Sequence, residues 1–263
     1  VRSATQPAPV SKKTSWAGII ISALPALFLI LDGVGKLLKS ALAVDATVKL
    51  GYDESVILPL GAVLLGCTAV YLIPRSAVLG AILLTGYLGG AVATHVRVGN
   101  GLFPILFPVI IGALLWGGIS LRDERARESL QSAANTNSIS KKALWAGIII
   151  SALPSLMMLF SGATKLTKQG FVVTEFSRFG YPESVILGIG AIEIACILVY
   201  LIPQASVLGA ILATGYLGGA VATHVRIGDP AIKIIAPILF GLMIWGGLYL
   251  RDERLRALIP LRS

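Results

Sequence analysis

The block VLGAILLTGYLGGAVATHVR at residues 78–97 recurs as VLGAILATGYLGGAVATHVR at 207–226, with Leu84 against Ala213 as the single difference. The offset of 129 residues holds without a gap along nearly the whole chain. It pairs Trp16 with Trp145, Pro25 with Pro154, Lys36 with Lys165, Cys67 with Cys196, Tyr71 with Tyr200, His95 with His224 and Trp116 with Trp245. A tandem duplication of this kind confines the fold to two copies of one unit. Each copy carries four apolar runs, near 16–38, 55–74, 76–96 and 103–121 in the first and 145–167, 184–203, 205–225 and 232–250 in the second. Each run is close to the roughly 20 residues that a helix needs to cross a bilayer.

Composition agrees. Of 263 residues, 56% are hydrophobic and 13% charged, against about 25% charged in an ordinary soluble domain. Mean hydropathy is +0.85. Together these exclude a soluble globular protein, a disordered chain and a large extramembrane domain. The expected fold is an all-α membrane protein, with eight transmembrane helices in two four-helix bundles. Four spans per unit is an even number, so the units are parallel repeats. The expected organisation is an N-terminal cytoplasmic tail (1–15), a first unit (16–125), a polar linker (126–144), a second unit (145–254) and a C-terminal tail (255–263). The first apolar run follows Lys12 and Lys13 and is expected to be retained, because its repeat partner lies mid-chain where no signal peptide can be.

The net charge of +9 does not indicate a nucleic-acid partner, because the basic residues sit at the ends of apolar runs. With both termini on one side, that side holds 13 of the Lys and Arg residues and the other 9, which predicts cytoplasmic termini. All four tryptophans fall on the same expected interface, as an aromatic belt would. Cys67 and Cys196 lie singly inside apolar runs, so neither a disulfide nor a metal site is expected.

In the third span of each unit small residues recur every fourth position: Gly86, Gly90 and Thr94, then Gly215, Gly219 and Thr223. Small residues at this spacing let helix backbones approach closely in lipid. The expected use is a packing seam inside each bundle, with a bundle-to-bundle interface across the pseudo-twofold axis as the alternative.

Ionisable residues within spans are costly and mark candidate sites. Glu193 lies nine residues into its span counted from Ser184, roughly 13 Å deep at 1.5 Å per residue. It must face the bundle interior or a partner. Lys165, Tyr216, His224 and Arg226 are its expected companions in an outward-facing polar pocket suited to a polar headgroup, a quinone carbonyl or a proton. The competing reading has Lys165 and Arg226 reaching to the membrane interface and Glu193 in a structural hydrogen bond. In the first unit Leu64 replaces Glu193, and Asp32 replaces Ser161. The counterpart set there is Asp32, Lys36, Tyr87, His95 and Arg97, and the two pockets should differ. Two histidines facing across an axis suit a haem only if an apolar slot lies between them. Histidines bonded to neighbours are the preferred reading.

The run TGYLGGAVATHVR, preceded by a second span ending YLIP, resembles the DoxX-like family of bacterial membrane proteins. SGATKL and GAIEIACILVYLIP in the second unit strengthen the resemblance. It covers both units, whereas members of that family are typically single four-helix units. The resemblance implies a four-helix bundle per unit and a bacterial inner membrane. It also implies a loose association with quinol oxidation and thiosulfate metabolism. No catalytic constellation accompanies it, so the expected role is a non-catalytic accessory or structural subunit. Such a subunit would bind membrane lipid, a quinone or a partner protein, in a membrane complex or a homo-oligomer. A quinone-linked redox component and a small-molecule or proton transporter are the alternatives.

Overall fold

A computed structural model describes residues 12–122 and 139–258. Every described regular element is helical. The first unit comprises α1 (Lys12–Leu37), α2 (Ala41–Lys49), α3 (Ile57–Leu72), α4 (Ala77–Val98) and α5 (Leu102–Arg122). The second repeats it as α6 (Lys141–Leu166), α7 (Gly170–Arg178), α8 (Ile186–Leu201), α9 (Ser206–Arg226) and α10 (Ala231–Arg251), followed by α11 (Glu253–Leu258). Among the described residues eight helices are long and apolar enough to cross a membrane: α1, α3, α4, α5, α6, α8, α9 and α10. In lipid each backbone N–H and C=O must be satisfied within the chain, and the long helix does this segment by segment. Much of the expected tail 1–15, linker 126–144 and tail 255–263 lies outside the described residues. Where the C-terminal tail is described, α11 turns back and buries Leu255 in the second core.

The repeat extends to the ends of the elements. Helix starts in the two units fall on matching positions, and so do the left-handed residues between helices, Lys39 with Lys168, Gly51 with Gly180 and Gly99 with Gly228. Gly99 closes α4 in this conformation, with its N–H returning to His95 and Val96 carbonyls. Only glycine enters that region without a steric cost. Ser40 and Ser140 cap α2 and α6 by accepting from Ala43 N and Ala143 N, each at 3.3 Å.

In the first bundle α1 packs on α3 and α5, and α4 on α3 and α5, closing a ring of four; α6, α8, α9 and α10 repeat the ring. One buried tyrosine ties each ring. Tyr71 hydroxyl donates to Ser22 Oγ (2.9 Å) and lies 3.0 Å from the Leu115 carbonyl. Tyr200 makes the same contacts to Ser151 Oγ and the Ile244 carbonyl, at 2.8 and 3.0 Å. Outward faces carry Leu24, Leu31, Ile149, Leu156 and Phe160, each more than 60% exposed, which is the surface that lipid requires. The tryptophans divide. Trp16 and Trp145 are exposed, but Trp116 and Trp245 turn inward and donate to Thr85 and Thr214 Oγ1 at 3.0 and 2.8 Å.

The two bundles meet along α4 and α9, and this corrects the expected use of the small-residue pattern. A Cβ placed on Gly89 would strike the Gly215 backbone, and one on Gly218 would strike Gly86. Beside Gly90 and Gly219 the nearest atoms are the Ala222 and Ala93 methyls. The stripe holding Gly86, Gly90, Gly215 and Gly219 is therefore the interface between bundles, not a seam inside each. Within the bundles close approach is supplied elsewhere, as where Gly80 faces the Tyr71 backbone.

Candidate ligand site in the second bundle

α6 and α8 bring Lys165 and Glu193 together. Lys165 Nζ donates to Glu193 Oε2 at 2.9 Å and to Ser161 Oγ at 2.5 Å. Glu193 is 3% exposed. Close packing of α6 on α8 permits the pair: a Cβ on Gly190 would run into the Lys165 stem. The Tyr216 phenol, on α9, faces the same carboxylate. An unpaired charge this deep would be strongly destabilising, and the ammonium, the hydroxyl and the phenol offset part of that cost.

These groups sit in the wall of a cavity of about 1210 Å³. Its other walls are mostly apolar and come from both bundles, with Leu88 and Val92 on α4, Trp116 on α5 and Phe240 on α10. The cavity is thus a mostly apolar cleft between bundles, with ionisable residues at Lys165 and Glu193 and again at Glu175, His224 and Lys233. Lys165, Glu193, Tyr216 and His224 all line it. Arg226 does not. It donates instead to the Phe179 carbonyl, at the end of α7, on the side facing the first bundle.

His224, in the cavity wall, belongs to a latch of ion pairs that ties α7 to the loop after α9. Its Nδ1 lies 2.6 Å from Asp229 Oδ2, and its ring meets Phe179 edge-on at 5.3 Å. Arg178 grips the same carboxylate with Nη1 and Nη2 at 2.9 and 3.1 Å and also pairs with Glu175. The Arg178 guanidinium first, and His224 second, hold the Asp229 carboxyl well below its ordinary range. Sequence reasoning missed this latch, and it also missed α2 and α7. Nine-residue helices are too short to register as apolar runs, although Val172 and Phe176 four apart on one buried face carried a faint signal.

The first bundle arranges the counterpart residues differently. Lys36 pairs with Asp32 on its own helix, while Leu64 is fully buried where Glu193 stands. Asp32, Lys36, Tyr87 and His95 line a smaller cavity of about 740 Å³. The carboxylate has moved from α8 to α1 in the equivalent frame, and the lysine keeps a partner in both. His95 Nδ1 bonds Asn100 at 2.8 Å, where the second unit has Asp229, so the latch has no equivalent there. Arg97 donates to the Leu50 carbonyl at 2.5 Å. Cys67 and Cys196 are free thiols, half-buried and buried.

A sequence model of the family described as DoxX-like matches residues 20–118 and, a second time, residues 149–247. Neither a curated protein nor a solved structure matches the chain.

Proposed function

The chain belongs to the DoxX-like family as a tandem fusion of two units, and on that premise we propose that it is an accessory, non-catalytic membrane subunit whose second unit holds an amphiphile. The observation that carries this reading is the Lys165–Glu193 pair, with Tyr216, set in the wall of a mostly apolar cavity. An apolar chain would lie against Leu88, Val92 and Phe240. Its head would take hydrogen bonds from the Lys165 ammonium and the Tyr216 hydroxyl. A quinone, through a ring carbonyl, and a lipid, through an ester carbonyl, both suit this chemistry. The latch of Arg178, Asp229 and His224 would hold α7 in the cavity wall.

In this reading both termini face the cytoplasm of a bacterial inner membrane, as the excess of Lys and Arg on their side supports. Residues 16–125 and 145–254 are the working units, and 126–144 is the tether between them. A partner protein would meet the lipid-facing surface of a bundle rather than the cavity.

The test is extraction of the purified protein with organic solvent and quantification of quinone and lipid by mass spectrometry. The wild type should carry about one molecule of a quinone, or of one lipid class, per chain. A Ser161→Asp/Glu193→Leu variant, which copies the first unit, should fold and lose it. Equal retention in both proteins would end the proposal.

A further inference from the structure

Arg97 and Arg226 close α4 and α9 at corresponding positions. Because α4 and α9 form the junction between bundles, the two side chains converge at one end of that junction. Each is fixed by a loop carbonyl of its own unit, Arg97 by Leu50 and Arg226 by Phe179. Arg97 nonetheless reaches across to the second unit. A Cβ on Gly180 would lie 3.9 Å from Arg226 Nη2 and 3.9 Å from Arg97 Nη1. Gly180 has φ +70°, so a larger residue there would be strained and would also fill the space between the two guanidiniums.

Among the described residues no carboxylate pairs with either of them. The ionisable groups facing Arg226 are Arg97, Tyr52 and Tyr181. Both tyrosines have hydroxyl partners, Thr94 for Tyr52 and Thr223 for Tyr181. Of the acids between the long helices, Glu54, Asp45, Glu183 and Asp229 are paired with Lys39, Lys49, Lys168 and Arg178, and Asp53 accepts from Ser55 N. Nε of Arg97 and Nε of Arg226 are both buried without an acceptor among the described residues. Two guanidiniums held together without a carboxylate, each with an orphaned donor, repel each other in a partly desolvated site. An arginine that only reaches toward lipid headgroups would turn outward independently of its mate. These two turn toward each other.

We propose that Arg97 and Arg226 together form a site for one phosphate-type oxoanion at the junction of the two bundles. The planar guanidinium matches phosphate oxygens in bidentate fashion, and two of them from opposite sides would neutralise a doubly charged group. The site lies at the membrane-interface end of α4 and α9, within reach of both a free phosphate ion and a phospholipid headgroup. The ion would bridge the bundles and stabilise their contact. The site is separate from the cavity at Glu193 and does not depend on what that cavity holds.

The test uses the full chain in maltoside micelles, which contain no phosphate. Its melting temperature is followed against sodium phosphate, with sodium chloride at matched ionic strength as control, and in a second arm against added phosphatidylglycerol. The wild type should melt higher in at least one arm than in its chloride control. A response to both identifies the ion itself, and a response to the lipid alone identifies a headgroup. The Arg97→Gln/Arg226→Gln variant should show at least a fivefold weaker apparent affinity, and Arg97→Gln alone a partial loss. Arg75→Gln, at the other end of the helices, should respond as the wild type does. The absence of any wild-type shift beyond chloride in both arms would overturn the proposal whatever the variants do. So would an equal shift in the double variant.

Discussion

Gly89 and Gly215 meet backbone to backbone, with the Gly215 carbonyl standing where a side chain on Gly89 would begin. Lipid tails supply no apolar drive for helix association, so the contact between bundles depends on this closeness. Gly89→Ala combined with Gly218→Ala should therefore separate the bundles. Overpacking of this kind costs about 1–3 kcal/mol per site. Gly66 has nothing within 4 Å of its missing Cβ, and Gly66→Ala should be neutral or slightly stabilising. The measurement is melting temperature, with co-purification of the two halves after cleavage at a protease site engineered into 126–144. Halves of the double variant that remain together as firmly as those of Gly66→Ala would refute the role of the seam.

The exchange of Glu193 for Asp32 between the units makes a compensation experiment available. Glu193→Leu alone leaves a largely buried Lys165 beside Ser161 without its carboxylate, and breaking a buried pair costs about 3–5 kcal/mol. Adding Ser161→Asp rebuilds the pair that Lys36 makes with Asp32, and most of that loss should return. Denaturant unfolding of the single and double variants measures both effects. If Ser161→Asp brings no recovery, the two pairs are not equivalent.

The eight spans were legible in the sequence because lipid enforces a simple rule on each one: long, apolar and helical. The duplication was legible because the offset never slips. A polar partner for Glu193 was expected from its depth, with Lys165, Tyr216 and His224 as the candidates, and Lys165 is the one that pairs with it. What the sequence did not specify was which surfaces face each other across the chain. The spacing of Gly86 and Gly90 names a helix face, not the neighbour that covers it, and the neighbour proved to be the other bundle. Arg226 was grouped with Glu193 because both belong to the second unit, whereas the junction turns it toward Arg97. Asp229 was passed over because a lone acid in a loop shows its importance only when Arg178 and His224 are placed around it.

Tyr71 and Tyr200 offer a measure of how closely the units match in energy. Each hydroxyl is buried between a serine and a backbone carbonyl at nearly equal distances. Tyr71→Phe and Tyr200→Phe remove the same two contacts and leave the same two oxygens behind, at about 1–3 kcal/mol each. The losses should agree between the units and add in the double variant, because the sites share no partner. Chemical denaturation of the three variants reads this directly. Effects that differ several-fold would mean that one bundle adapts to the loss and the other does not.

The last prediction concerns acid. Asp229 receives Arg178 and His224, with Lys233 at 3.9 Å and Glu175 held on the other side of Arg178. Its folded pKa lies below the ordinary carboxyl value. A carboxylate with a depressed folded pKa contributes stability that is fully present above its unfolded pKa, near 3.9, and fades as pH falls toward the folded value. Asp229→Asn should therefore melt below wild type at neutral pH. The gap should hold steady down to about pH 5 and then narrow below about pH 4. Asn100→Asp in the first unit should not reproduce the effect, because Lys49 stands where Arg178 does and already pairs with Asp45. Melting temperatures of the three proteins across this range decide the point. A wild-type-to-Asn gap that stays constant to the lowest pH would mean that the latch holds by shape and hydrogen bonding rather than by the charge on Asp229.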